Sequence, residues 1–154
     1  MIKKVAILAN GGDVAGFNAV IRGIVKTAEN NNVECYGFID GYNGLLKNEY
    51  ERLSTAENGN AEGILQKGGS IIGSSTNANV FNYKVTNEDG TVEYKDLSDV
   101  CVENIKKDEF DCIFTLGGDG TQKSARDFAT KGVNVIGVPK TIDNDVACTD
   151  ITFG

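Results

Sequence analysis

The sequence predicts an α/β fold, a layered and mostly parallel sheet with an inserted β-hairpin. Three observations predict it. Two continuous apolar runs, VAILA at 5–9 and CIFTL at 112–116, read as strands buried on both faces. Each leads through a glycine-bearing turn into a stretch of helical period and then another strand, the order that gives parallel neighbours joined by a crossover. Between the two units, Asp89-Gly90 lies between the extended runs 81–85 and 91–94, a hairpin signal.

The elements follow in order. After the first strand, residues 10–16 form a loop. Helical spacing over 17–29 puts Val20, Ile21, Ile24, Val25 and Ala28 on one face. The Asn30-Asn31-Asn32 run stops that helix, because asparagine favours helix ends and turns. A second strand is expected over 33–39, parallel to the first. Residues 41–44 read as a turn, 61–67 as a short helix and the small, polar stretch 73–79 as a loop. Helix returns at about 99–107. The last third is read as strand 112–116, loop 117–121, helix 122–131 and strand 133–138, closed by the sole proline, Pro139. No repeat or linker divides the chain.

Composition narrows the function. With 154 residues, 40 % hydrophobic and 24 % charged, the chain is one domain able to bury a core. A net charge of −7 repels phosphate backbones, so nucleic acid is not an expected partner. No apolar run approaches the roughly 20 residues that span a bilayer, so no membrane is expected either. Histidine is absent, which removes Ser-His-Asp and Cys-His catalysis and His-ligated zinc. Acid–base work falls to carboxylates, Lys, Tyr or Cys. Cys35, Cys101, Cys112 and Cys148 include no Cys-x-x-Cys pair and are expected to be reduced structural thiols of a cytoplasmic protein.

Three segments carry chemistry. Gly11-Gly12-Asp13 and Gly117-Gly118-Asp119-Gly120-Thr121 each join a buried strand to a helix. Glycine lets backbone N–H groups approach phosphates, and the helix start that follows favours an anion. Asp119 is placed to hold Mg²⁺ against those phosphates, since hard cations take carboxylate oxygens. Both loops belong at the carboxyl ends of strands, where α/β sheets bind ligands. The third segment, Pro139-Lys140-Thr141-Ile142-Asp143-Asn144-Asp145, reaches the same edge. Read as extended, it projects Asp143 and Asp145 together, with Asn144 opposite. Paired carboxylates suit a base with a metal or charge partner, and polar turns with local Asp caps remain the plain alternative.

The phrases GGDVAGFNAVIRG (11–23), GGSIIGSS (68–75), GGDGT (117–121), PKTIDNDV (139–146) and TDITFG (149–154) resemble the 6-phosphofructokinase family in order and spacing. GGDGT alone is shared with NAD and diacylglycerol kinases; TIDND following the opening phrase is the specific part. The resemblance implies Rossmann-like domains and phosphoryl transfer from ATP to the 1-hydroxyl of fructose 6-phosphate, giving fructose 1,6-bisphosphate, with Mg²⁺. By motif position, Asp143 is the general base. Gly12, Thr76, Asn77, Gly118, Asp119, Gly120, Thr121 and Lys140 face the donor, and Asp119 holds the metal. Thr141, Asp143 and Asp145 touch the sugar or the transferred phosphoryl group.

Two departures qualify the match. Where many members carry an arginine after the Gly-Ser-Ser turn, this chain has Thr76-Asn77-Ala78, which leaves charge neutralisation to another group such as Lys140. Family chains are also much longer. Residues 1–154 then correspond to an N-terminal, donor-binding part, without the C-terminal sugar-phosphate part and inactive alone. The full-length enzyme is expected to be a homo-oligomer. Gly120 favours ATP over pyrophosphate, because members that use pyrophosphate usually carry Asp there. Lys140 leans the other way. A pyrophosphate-dependent phosphotransferase and a non-catalytic nucleotide-binding module are the alternative readings.

Overall fold

The computed structural model describes residues 1–76 and 78–154. Its main sheet has five strands: β1 (Lys4–Ala9), β2 (Glu34–Phe38), β3 (Tyr50–Leu53), β6 (Cys112–Gly117) and β7 (Val135–Pro139). They lie in the order β3-β2-β1-β6-β7, all neighbours parallel except β2 and β3. A separate antiparallel pair, β4 (Tyr83–Thr86) and β5 (Val92–Lys95), is the expected hairpin. The α/β class and the inserted hairpin therefore agree with the sequence reading.

Alternation along β1 shows why the sheet is central. Val5, Ile7 and Ala9 enter one apolar cluster, and Ala6 and Leu8 enter the other. Helix α1 (Phe17–Asn30) packs on the first face through Phe17, Ile21, Val25 and Ala28. Val20 and Ile24, read from the sequence as part of that stripe, are only partly buried beside it. The second face holds α2 (Tyr42–Lys47), α3 (Ser98–Lys107) and α4 (Asp119–Thr130) through Tyr42, Leu45, Cys101, Ile105 and Phe128. On the α1 face an apolar groove of about 470 Å³ lies over β6 and β7, lined by Ile24, Ala28, Cys112, Phe114 and Ile136.

Several elements differ from expectation. Of the expected turn 41–44, only Gly41 is a turn residue; 42–44 begin α2, in which Gly44 packs against the Ile39 carbonyl where a side chain has no room. β3 was not expected. It is short, carries exposed Glu51 and Arg52, and buries only Leu53, so it has no apolar pattern to read. The helix expected over 61–67 is a single 3₁₀ turn, Ile64–Gln66. α4 begins at Asp119 rather than at 122, which shortens the second glycine loop.

The topology creates a crevice. From β1 the chain passes to β2 on one side, and from β6 it passes to β7 on the other. Helices α1 and α4 leave for opposite faces, so the carboxyl ends of β1 and β6 open onto a gap, the place where doubly wound sheets take ligands. Cys35, Cys101 and Cys112 are buried free thiols and Cys148 is exposed. Burial pushes the Cys35 and Cys101 thiols up to about 12.

Candidate active site

The first wall of the crevice grows from β1. Asn10 continues the strand, bridging Ser75 in parallel, and its N–H donates to the Leu116 carbonyl at 2.8 Å. Gly11 follows at φ +89°, a left-handed conformation that favours glycine, and its N–H donates to the Ser75 carbonyl at 2.8 Å. A Cβ on Gly11 would come within 3.1 Å of the Lys140 ammonium. The first glycine turn is therefore wrapped around a lysine from the far end of the chain.

Lys140 is 6 % exposed, and its Nζ donates to the Gly12 carbonyl at 2.8 Å. The ammonium also lies 5.4 Å from the Phe17 ring centroid. No carboxylate pairs with it directly among the described residues. Burial lowers its pKa below the ordinary lysine value, and nearby Asp13 only partly offsets that. A desolvated ammonium with one carbonyl partner is costly for the fold, and an incoming anion would repay it.

The second wall is the β6–α4 turn. A Cβ on Gly117 would strike the Thr121 side chain and approach the Asn10 carbonyl at 2.8 Å, so this close strand-to-helix packing excludes larger residues. Gly118 precedes α4, and no side chain caps that helix. The N–H groups of the first turn, which contains Asp119, Gly120 and Thr121, have no helical partners, and the helix dipole adds partial positive charge there. Asp119 is exposed and pairs with Lys123 at 2.6 Å.

Between these walls lies a cavity of about 310 Å³. Gly118, Gly120, Thr121, Lys140, Thr141 and Thr76 line it, all of them singled out on the sequence. Asn77 lies outside the described residues. Gly12 is absent from the lining; Gly11 takes that position, and Gly12 contributes its carbonyl to Lys140. Asp119, Asp143 and Asp145 also stand off the cavity wall.

Sequence reasoning missed Asn10, Tyr42 and Ser124, which also line the cavity. The Asn10 amide nitrogen donates to Thr121 Oγ1 at 3.4 Å, whereas its Oδ1 is buried without a partner. The Tyr42 hydroxyl is likewise buried and unpaired. Burial raises its pKa. Two orphaned polar atoms in one cavity wall mark a place built to meet a polar ligand or water. No periodicity or motif announces either residue.

The third segment departs from the extended reading. Asn144 has φ +52°, and its side chain holds the returning chain: Oδ1 accepts from Thr152 N–H at 2.8 Å and Nδ2 donates to the Asp150 carbonyl at 3.2 Å. Asp143 and Asp145 are thus not two strand neighbours on one face. The Thr141 hydroxyl donates to Asp145 Oδ1 at 2.9 Å and accepts from the Asp143 N–H at 3.3 Å. Asp143 is exposed, and its carboxylate accepts no hydrogen bond among the described residues.

A helix start with unpartnered N–H groups and a buried cation face one cavity at the sheet switch point, and the exposed Asp143 follows on the Lys140 segment. The chain is similar to the following known proteins. The chain is 52 % identical over 154 residues to the ATP-dependent 6-phosphofructokinase 2 of Clostridium perfringens, covering 99 % of this chain and 41 % of that protein. Among solved structures it is similar to Pichia pastoris phosphofructokinase in the T-state (TM-score 0.82, 26 % identity, 100 % of this chain and 17 % of that one). It is also similar to the pyrophosphate-dependent phosphofructokinase of Marinobacter aquaeolei (TM-score 0.70, 25 % identity, 97 % and 36 %). The chain spans about two fifths of the length of the curated relatives it matches, 41 % of the Clostridium protein. With the phosphofructokinase family model matching residues 4–154, the chain belongs to the phosphofructokinase family.

Proposed function

We propose that residues 1–154 are the phosphoryl-donor side of an ATP-dependent 6-phosphofructokinase, which transfers the terminal phosphoryl group of ATP to the 1-hydroxyl of fructose 6-phosphate and yields fructose 1,6-bisphosphate and ADP. The observation that carries this reading is the cavity in which the α4 N-terminus, the wall at Thr76 and the buried Lys140 converge. The longer relatives with ATP-dependent names support the donor. A homo-oligomeric, cytoplasmic enzyme is the setting this reading carries with it.

In this reading the α4 N–H groups and Lys140 bind the donor phosphates and orient the terminal one. Asp143 takes the proton from the sugar hydroxyl as its oxygen attacks phosphorus, and ADP leaves with the bond electrons. The transition state is loose, so positioning and charge neutralisation matter more than base strength. A carboxylate base is sufficient, and the chain has no histidine to offer instead.

The residues present fit Mg²⁺. Asp119 is a single exposed carboxylate beside the turn, held only by exposed Lys123, and no group of three or more potential ligands exists among the described residues. Magnesium is commonly bound through one or two carboxylates, with phosphates and waters completing its shell. Asp119 would hold it, and the ion would neutralise charge on the transferring phosphates.

The family resemblance makes lysine at position 140 the choice that leans towards pyrophosphate as donor. The open space at Gly120 weighs against it, since no atom lies within 4 Å of a Cβ built there.

A coupled assay tests the whole reading. The full-length polypeptide carrying this sequence is expected to phosphorylate fructose 6-phosphate with ATP, and the 154-residue chain alone to have negligible activity. Without the sugar-binding part, the proximity advantage is forfeited. Turnover of about 1 s⁻¹ or more by the short chain, within the kinase range, contradicts the division of labour.

Lys140→Met separates function from stability. The substitution keeps the stem over Phe17 and removes a buried charge, so the melting temperature is expected to hold or rise. Donor affinity is expected to fall roughly 10- to 100-fold, the loss of a charge-assisted hydrogen bond. Because burial lowers the lysine pKa, donor affinity in the unmodified enzyme should weaken as pH rises through that lowered value, where the ammonium becomes neutral. Calorimetric titration with ATP and a thermal melt check both. A lower melting temperature with unchanged binding makes Lys140 a purely structural residue.

A further inference from the structure

We propose that Asn43 is a positioning residue for the donor cavity, and that the β4–β5 hairpin acts on the donor through it. The inference rests on the phosphofructokinase reading above and deepens it.

The argument starts at Ser75. This residue is 8 % exposed, and its backbone is bound to the first glycine turn by the bridge to Asn10 and by the Gly11 N–H. Thr76, Ala78 and Asn79, which follow it, line the cavity. Ser75 is therefore the hinge post of that wall. Its hydroxyl accepts from Asn43 Nδ2 at 3.2 Å, and Asn43 Oδ1 accepts from the Tyr83 hydroxyl at 3.3 Å. Asn43 sits on α2 beside Tyr42, whose hydroxyl is one of the two orphans in the cavity. Tyr83 opens β4, and β4 pairs only with β5.

One amide thus spends its donor on the donor wall and its acceptor on the hairpin, joining two segments that share no sheet. Asn43 and Tyr83 are not part of the cavity lining, so neither is a catalytic residue. The Ser75 bond lies at the upper end of the ordinary range and the Tyr83 bond is longer, so their effect is one of alignment. A two-stranded hairpin is marginal alone; Tyr83 packs against the core, and the Asn43 tie adds a polar link from the hairpin to the Ser75 wall. Loosening the tie should widen the distribution of wall positions. That costs nucleotide affinity and leaves the chemical step and the sugar untouched.

Steady-state kinetics on the full-length enzyme test this with Tyr83→Phe, Asn43→Ala and the double variant. Each single change is expected to raise the ATP KM about two- to tenfold, the usual worth of one hydrogen bond, with kcat and the fructose 6-phosphate KM unchanged. Because Tyr83 acts through Asn43, adding Tyr83→Phe to Asn43→Ala should change the ATP KM no further, as hydrogen-bonded neighbours couple, while the rise confined to the ATP KM separates positioning from a merely structural role. Additive effects, an unchanged ATP KM, or a parallel shift of all three parameters with a lowered melting temperature overturn the inference. Tyr83→Phe removes one oxygen and keeps the ring, so it decides alone if Asn43→Ala does not fold. An unmodified enzyme that neither binds ATP nor turns over defeats the phosphofructokinase reading and this inference together. An active enzyme with unaffected variants defeats this inference only.

Discussion

Asp143→Asn in the full-length enzyme is expected to lower kcat by roughly 10²- to 10⁴-fold, the usual contribution of a positioned base. The fold should not respond. Asp143 is exposed, and its carboxylate accepts no hydrogen bond among the described residues, so an amide of the same size replaces it at no structural cost. Sugar affinity should change little, because the amide still hydrogen-bonds the hydroxyl but cannot take its proton. Asp145 supplies the internal comparison. It already accepts from the Thr141 hydroxyl, a bond that the amide oxygen of Asp145→Asn keeps in weaker form, so this change should reduce kcat less. Asp119→Asn should instead raise the Mg²⁺ concentration needed for half-maximal rate, since an amide is a poorer ligand for a hard cation. Near-normal kcat in Asp143→Asn would show that the base is misassigned, and Asp145 would take its place.

Legibility followed burial. β1 and β6 are buried on both faces and read as unbroken apolar runs, and α1 writes its period through Phe17, Ile21, Val25 and Ala28. The convergence of the two glycine turns and the Lys140 segment at one end of the sheet was also legible, because strand–helix order dictates which ends carry the turns. The hidden parts have local reasons. α2 contains Asn43 and Gly44, poor helix formers that read as a turn, and it is helical because Tyr42 and Leu45 are buried in the core. α4 starts early because Asp119, Gly120 and Thr121 accept a helical turn that propensity does not demand of them. The Asp143–Asp145 geometry differs from the sequence expectation because period-two reasoning assumes an extended backbone, and Asn144 lies in the left-handed region. Asn10 and Tyr42 gain meaning only once β1, α2 and α4 meet across the crevice, a relation over long sequence separation that no local pattern records.

Gly120→Asp should separate the two donors. Gly120 lines the cavity, it is not among the left-handed glycines, and nothing lies within 4 Å of a Cβ built on it, so aspartate enters without displacing protein atoms. Its place in the first turn of α4 even favours a carboxylate, through the helix dipole, so the melting temperature should hold or rise slightly. The cost falls on the ligand. In the proposed reading the new carboxylate would stand beside the nucleotide's α-phosphate, and like charges about 4 Å apart repel by roughly 4 kcal/mol at the effective dielectric of a partly exposed site. Screening by Mg²⁺ and solvent reduces that figure, which still leaves a fall in kcat/KM for ATP on the order of 10²-fold or more. Pyrophosphate has no α-phosphate and no ribose behind it, so it should lose far less. The contrast also controls for damage to the turn itself, since a distorted α4 N-terminus would weaken both donors equally. Measured side by side on one preparation, an ATP rate that survives Gly120→Asp would show that this position does not set the donor, and the buried Lys140 would then argue for pyrophosphate.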